Sequence, residues 1–208
     1  MSMKKRHVFT VVAASLVALW LPQAAGQVMG DEACPYYAVD HASFATCDGD
    51  RVARAGTVSF IAPTAARQLK LRKGSGVLFI DVRSRVEAAM RETAAEIDYV
   101  VPYREAAHPL RWDSARGSIA LKANPEFVTQ IQAAVRAQGG GRATPVVLLC
   151  ATGDRAAQAA ELMRAVGFTE VYVVAGGMDG SATAPGWRAE ALPVLATADE
   201  GQLFGLPD

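Results

Sequence analysis

The 208-residue sequence has no net charge, because 21 Lys and Arg balance 21 Asp and Glu. A general nucleic-acid binder would normally be basic, so this balance argues against that class. Runs of like charge are also missing, which excludes an acidic or basic tail. Long apolar runs are scarce. The one candidate, "VFTVVAASLVALWL" at residues 8 to 21, falls short of the roughly 20 residues that span a bilayer. Lys4, Lys5 and Arg6 precede it, and Ala24 and Gly26 supply an A-x-A-like cleavage site. Residues 1–26 therefore read as a signal peptide, with an uncleaved anchor as the weaker alternative. The expected location is periplasmic or secreted, with no stable membrane insertion after cleavage.

Cysteine is equally sparse, with Cys34, Cys47 and Cys150 the whole supply. Export places the chain where disulfides persist. Cys34 and Cys47 flank one short segment, "CPYYAVDHASFATC", and form the candidate disulfide; the alternative is that all three thiols stay reduced. Adding His41 to that pair gives a spacing that matches no common zinc pattern, so no metal site is assigned. Cys150 is the thiol left over.

What is present is a hydrophobic fraction of 51%, enough for one globular domain with a core. Residues 27–56 show little periodicity and read as an irregular N-terminal extension. From residue 57 strands and helices alternate. "TVSFI" (57–61) predicts a strand, and Pro63 opens a helix that Gly74 stops. "GVLFIDV" (76–82) predicts a buried parallel strand, and "RVEAAMRETA" (85–94) a helix. A strand follows at 98–103 and a loop at 104–123. Asn124 then caps a helix with Pro125 at its first position. "PVVLLC" (145–150) is a strand, 155–166 a helix ended by Gly167, and "EVYVVAGG" (170–177) the last strand. The segment 186–194 packs back on the domain. This alternation predicts an α/β fold with a mainly parallel central sheet and helices on both faces.

Ligands of such sheets bind beyond the carboxyl ends of the strands, and Cys150 stands at one of those ends. The loop "CATGDR" leads from it into a helix. Backbone N–H groups at a helix start stabilise a thiolate, and the helix dipole adds to them. Gly153 supplies backbone freedom, Thr152 a hydroxyl, and Arg155 a positive charge where the dipole disfavours one. Arg111 and Trp112 are candidates for the pocket mouth. Trp187 reads as a packing residue. His41 and His108 stand in polar segments with no evident partner.

"CATGDR" resembles the C-x-x-G-x-R loop of the rhodanese-like sulfurtransferases. "VLFIDVRSRVE" resembles that family's Asp-Val-Arg strand, and "VYVVAGG" with "GWRAEALPV" its closing strand, Gly-Gly turn and Leu-Pro-Val end. The resemblance covers 57–195 and leaves 196–208 as a C-terminal tail. It implies a single rhodanese-like domain whose Cys150 carries sulfane sulfur from a small donor to cyanide or to a thiol, free or on a protein, without a cofactor. It implies that Ala151, Thr152, Gly153, Asp154 and Arg155 form the substrate cradle, and that Asp81 and Arg83 are scaffold. Four features depart from the family pattern, one being a longer loop, "MDGSATAP", between the Gly-Gly turn and Trp187. Ala151 replaces a common basic or polar residue, and Asp154 adds negative charge; both count against thiosulfate as donor. The usual Gly-His-Ile segment is replaced near Ala95, Glu96 and Ile97. Two other readings stay open: a non-catalytic binding or sensing module, and a Cys-dependent phosphatase or arsenate reductase. Phosphatases of the latter kind place five residues between Cys and Arg, against four here.

Overall fold

The computed structural model describes residues 58–204 apart from Arg116, together with the backbone of two strands at 36–40 and 43–45. The signal segment 1–26, Cys34, His41 and Cys47 lie outside the described residues. In chain order the elements begin with β1 (Tyr36–Asp40), β2 (Ser43–Ala45), β3 (Ser59–Ile61), α1 (Pro63–Lys73), β4 (Leu78–Asp81) and α2 (Arg85–Met90). Then come β5 (Thr93–Ala94), β6 (Tyr99–Val100), β7 (Arg104–Ala106), β8 (Trp112–Asp113), β9 (Ser118–Ile119) and β10 (Leu121–Ala123). The chain continues with α3 (Phe127–Ala137), β11 (Val146–Leu149), α4 (Asp154–Ala165), β12 (Val171–Val174) and β13 (Val194–Leu195).

The main sheet has seven strands in the order β2-β1-β3-β12-β11-β4-β6. The pairings from β3 to β6 are all parallel, which is the expected α/β architecture. Alternation along the strands sorts the core onto two faces. Leu78, Ile80, Val146, Leu148, Val171 and Val173 pack with Phe127 and Ile131 of α3 and Ala156, Ala160 and Met163 of α4. Phe79, Val147, Leu149 and Val174 point the other way, toward Ala66 and Leu69 of α1 and Ala88 of α2. Both faces are covered, so β4 up to Asp81 and the whole of β11 are apolar at successive positions rather than at alternate ones. Cys150 continues the even-numbered series 146, 148 and falls on the α3–α4 face.

Four expectations need correction. The extension 27–56 is not irregular throughout. β1 pairs antiparallel with β3, and β2 with β1, so this segment extends the sheet. The helix expected over 85–94 ends at Met90, and Arg91 is extended (φ −140°, ψ 152°). Thr93 is then drawn away, because its hydroxyl donates to the buried Asp81 carboxylate (2.9 Å) and β5 pairs with β13. The expected loop 104–123 holds two small antiparallel pairs, β7 with β10 and β8 with β9. The Asn124 cap is real but serves the turn before α3. Its Oδ1 accepts from Glu126 N (3.0 Å), and the helix proper begins at Phe127.

The tail behaves as expected. Trp187 is fully buried, meets Phe79 edge-on (centroids 5.6 Å apart), and donates from Nε1 to the Pro193 carbonyl (2.9 Å). Farther on, Leu203 bridges to Val100 of β6 and Phe204 rests against Tyr99.

Candidate active site

Cys150 follows β11 directly, at the carboxyl edge of the sheet beside Asp81 of β4. Its side chain is fully buried. The chain turns sharply at Gly153, whose φ of 102° is a left-handed conformation open to glycine at little cost. That turn aims the Gly153 N–H at the sulfur, to which it donates at 3.1 Å. α4 starts at the next residue, so its dipole has its positive end at the thiol.

A second wall comes from the turn after β12. Met178 N donates to the Cys150 carbonyl (2.8 Å), and Asp179 N to the Ala151 carbonyl (2.8 Å). This approach leaves no room for a side chain at Gly177. A Cβ there would strike the carbonyl oxygen of Cys150 and lie 2.7 Å from the Ala151 backbone. The Gly-Gly turn therefore fixes the Cys150 loop from outside. Asp179 is itself paired with Arg188, which also reaches Glu92 (2.9 Å).

The other cradle residues divide. Ala151 is half-buried, while Thr152 and Asp154 are exposed and bonded to each other, the hydroxyl donating to Asp154 Oδ2 at 2.9 Å. Arg155 directs both Nη atoms to Glu87 of α2, at 2.7 and 2.8 Å, in a bidentate pair. Glu87 also accepts from the Ser84 N–H (3.0 Å) and hydroxyl (2.8 Å). Burial works against its charge, but the Arg155 bonds and charge and the Ser84 donors outweigh burial and hold its pKa at about 2. Burial likewise opposes the Arg155 cation, yet Glu87, with smaller attractions from Cys150 and Asp81, raises its pKa. The cation is thus held by the carboxylate and is also attracted by Cys150.

Asp81 and Arg83 form the scaffold pair. They are 0% and 1% exposed, and Arg83 Nη2 donates to Asp81 Oδ2 at 2.6 Å. Asp81 also receives Arg83 N (2.9 Å) and the Thr93 hydroxyl, and Arg83 Nη2 reaches the Glu92 carbonyl (3.1 Å). The network joins β4 to the segment beyond α2. Trp112 stands 65% exposed on the β8–β9 pair, and His108 and Arg111 are exposed beside it.

Glu87 is the site residue that sequence reasoning missed. Its signal was in "SRVE": Ser84-x-x-Glu87 is a capping box, and both of its reciprocal bonds are formed. A cap explains the carboxylate locally; only the tertiary structure shows that it also holds Arg155.

The profile of the rhodanese-like domain matches residues 64–184. No curated protein matches by sequence. Among solved structures, Rv0390 from M. tuberculosis is 26% identical at a TM-score of 0.47, over 66% of this chain and 96% of that one. A thiosulfate sulfurtransferase from Pseudomonas aeruginosa is 14% identical at 0.48, over 72% of this chain and 22% of that one. The polysulfide-sulfur transferase homodimer of Wolinella succinogenes is 24% identical at 0.39, over 65% and 77%. Matched over more than half its length, from α1 through the Gly176–Gly177 turn, this chain belongs to the rhodanese-like domain family.

Proposed function

We propose that the protein is a sulfurtransferase that carries a sulfane sulfur on Cys150 from a donor to a thiol or cyanide acceptor. The observation that carries this reading is the Gly153 N–H donating to the buried Cys150 sulfur at the start of α4. A backbone N–H, the positive end of a helix dipole and the Arg155 cation are grouped at the sulfur, the kind of setting in which a cysteine serves as a nucleophile. The Cys150 thiolate attacks the outer sulfur of the donor, and the donor's remaining part leaves with the electron pair. An acceptor thiolate then attacks the terminal sulfur of the persulfide and releases the Cys150 thiolate. The reaction is ping-pong and needs no cofactor. Export through residues 1–26 would place it in the periplasm or outside the cell.

The exposed Asp154, one residue beyond the Gly153 donor, supports a neutral or singly charged donor over thiosulfate. The test is mass spectrometry after exposure to polysulfide, to a glutathione persulfide and to thiosulfate. Cys150 gains about 32 Da, one sulfur atom, and Cys150→Ser gains nothing and transfers nothing while its near-ultraviolet circular dichroism is unchanged. Undiminished transfer by that variant would end the proposal. One observation favours a second reading, a non-catalytic binding module: Cys150 has no exposed surface. A thiol that resists every donor, and iodoacetamide as well, in the folded protein would decide for the module.

A further inference from the structure

The polypeptide leaves β6 at the same edge of the sheet as Cys150, because β6, β4 and β11 run parallel and in register. Val101 N donates to the Asp81 carbonyl (2.9 Å) and Tyr103 N to the Val82 carbonyl (3.1 Å), so the chain is still held to the end of β4 as it departs. It then forms an arm, residues 104–123, built on β7 and β10 and tipped by β8 and β9. The base of the arm crosses the elements that hold the cysteine. Arg104 Nη2 reaches Gln158 in the first turns of α4 (3.3 Å), and Glu105 pairs with Arg85 at the start of α2 (2.7 Å).

The arm's outer part is apolar and cationic. Leu110 is 63% exposed and Trp112 65% exposed, and Arg111 between them is exposed too, as is Lys122. Among the described residues of the arm, Arg104, Arg111 and Lys122 are set against Glu105 and Asp113, and Arg85 already neutralises Glu105. The described part of the arm thus carries a small positive excess in a chain with no net charge. Trp and Arg are the side chains enriched among the residues that carry protein-protein binding energy, and here they stand exposed side by side with Leu110 next to them. A small thiol needs neither feature.

Resting on the sulfur-transfer reading above, we propose that the arm 104–123 is a docking element for a protein thiol whose surface is acidic and apolar. The docked thiolate attacks the terminal sulfur of the Cys150 persulfide. A sulfur–sulfur bond forms on the acceptor as the one on Cys150 breaks, and the electron pair returns to Cys150. No external oxidant or reductant is consumed.

Two peptides with one cysteine each, one flanked by Leu and Glu and the other by Leu and Lys, test this as acceptors on the full protein. Flanking Lys lowers the thiol pKa and flanking Glu raises it, so intrinsic reactivity favours the basic peptide. A preference for the acidic one must come from the protein. The wild type should show kcat/KM about tenfold higher for the acidic peptide, in line with charge-complementary docking. Arg111→Glu/Lys122→Glu should bring that ratio below one, and Trp112→Ala should lower kcat/KM for both Leu-bearing peptides about tenfold while leaving transfer to dithiothreitol unaffected. Dithiothreitol, run in parallel, reports on the chemistry itself. Equal use of the two peptides by the wild type, an acidic preference that survives Arg111→Glu/Lys122→Glu, or unchanged peptide kcat/KM in Trp112→Ala overturns the docking role. No turnover even with dithiothreitol overturns sulfur transfer, and the docking role with it.

Discussion

Replacing Glu87 with Gln removes one charge and little else. Gln is the other residue that completes a capping box, so the Ser84 cap survives the change. What is lost is the partner of Arg155. Glu87 has a pKa of about 2 in the fold against an ordinary 4.5. A folded pKa below the unfolded one means that the pair stabilises fully above pH 4.5 and fades as the pH falls through about 2. The difference of about 2.5 in pKa, at 1.36 kcal/mol each, is about 3 kcal/mol. With Glu87 25% and Arg155 17% exposed, water screens part of the attraction. About 2–3 kcal/mol should therefore appear at pH 7. Urea unfolding of wild type and variant measures it, and Tm should fall by about 4–12 °C. The gap should shrink to about half at pH 3, since the other carboxylates titrate equally in both proteins and cancel. A gap under about 0.5 kcal/mol at pH 7, or one that is unchanged at pH 3, would refute the assigned coupling.

Gly177→Ala should destabilise by more than about 2 kcal/mol and impair persulfide formation, because its Cβ meets the backbone of Cys150 and Ala151. Gly153→Ala is the contrasting case. A Cβ there finds only ordinary contacts, the nearest at 3.6 Å, so the left-handed backbone alone should cost about 1–2 kcal/mol in urea unfolding. Trp187→Ala, which empties a fully buried site against Phe79, should cost about 3–5 kcal/mol. Asp81→Asn leaves the 1%-exposed Arg83 guanidinium without its counter-charge and should cost about 3–5 kcal/mol, with no recovery on raising salt.

The order of strands and helices was legible because each long element carries its own signal. Pro63 opens α1 and Gly74 closes it as predicted, and α4 begins one residue before the expected Arg155. The Cys150 loop was legible for the same reason, lying between a continuous apolar strand and an Ala-rich helix. Elsewhere the deciding forces are tertiary. The residues from Arg91 to Ala94 have adequate helix propensity, yet buried Asp81 claims the Thr93 hydroxyl and Arg83 claims the Glu92 carbonyl. β7 to β10 are two or three residues long, too short for any period to show. β1 gains its place by pairing onto β3 and β2 by pairing onto β1, partners that nothing within "YYAVD" itself announces. Arg155 illustrates the limit best: the motif marks its position, whereas its partner, Glu87, sits 68 residues earlier.

The C-terminal segment has a bearing on self-association. β6 is the outermost strand of the sheet on its side, and a bare strand edge is a template for pairing with another chain. Here the Leu203 bridge to Val100, the Phe204 N–H donated to the Val100 carbonyl (3.2 Å), and the Gln202 amide on the Ile97 carbonyl (3.1 Å) occupy that edge. The Phe204 carbonyl in turn accepts from Arg85 (2.7 Å), the residue that also grips the base of the arm. A chain stopped at Leu195 would keep the Cys150 loop and every core strand. It would also present an open edge next to a loosened arm, and soluble oligomers would form through β6.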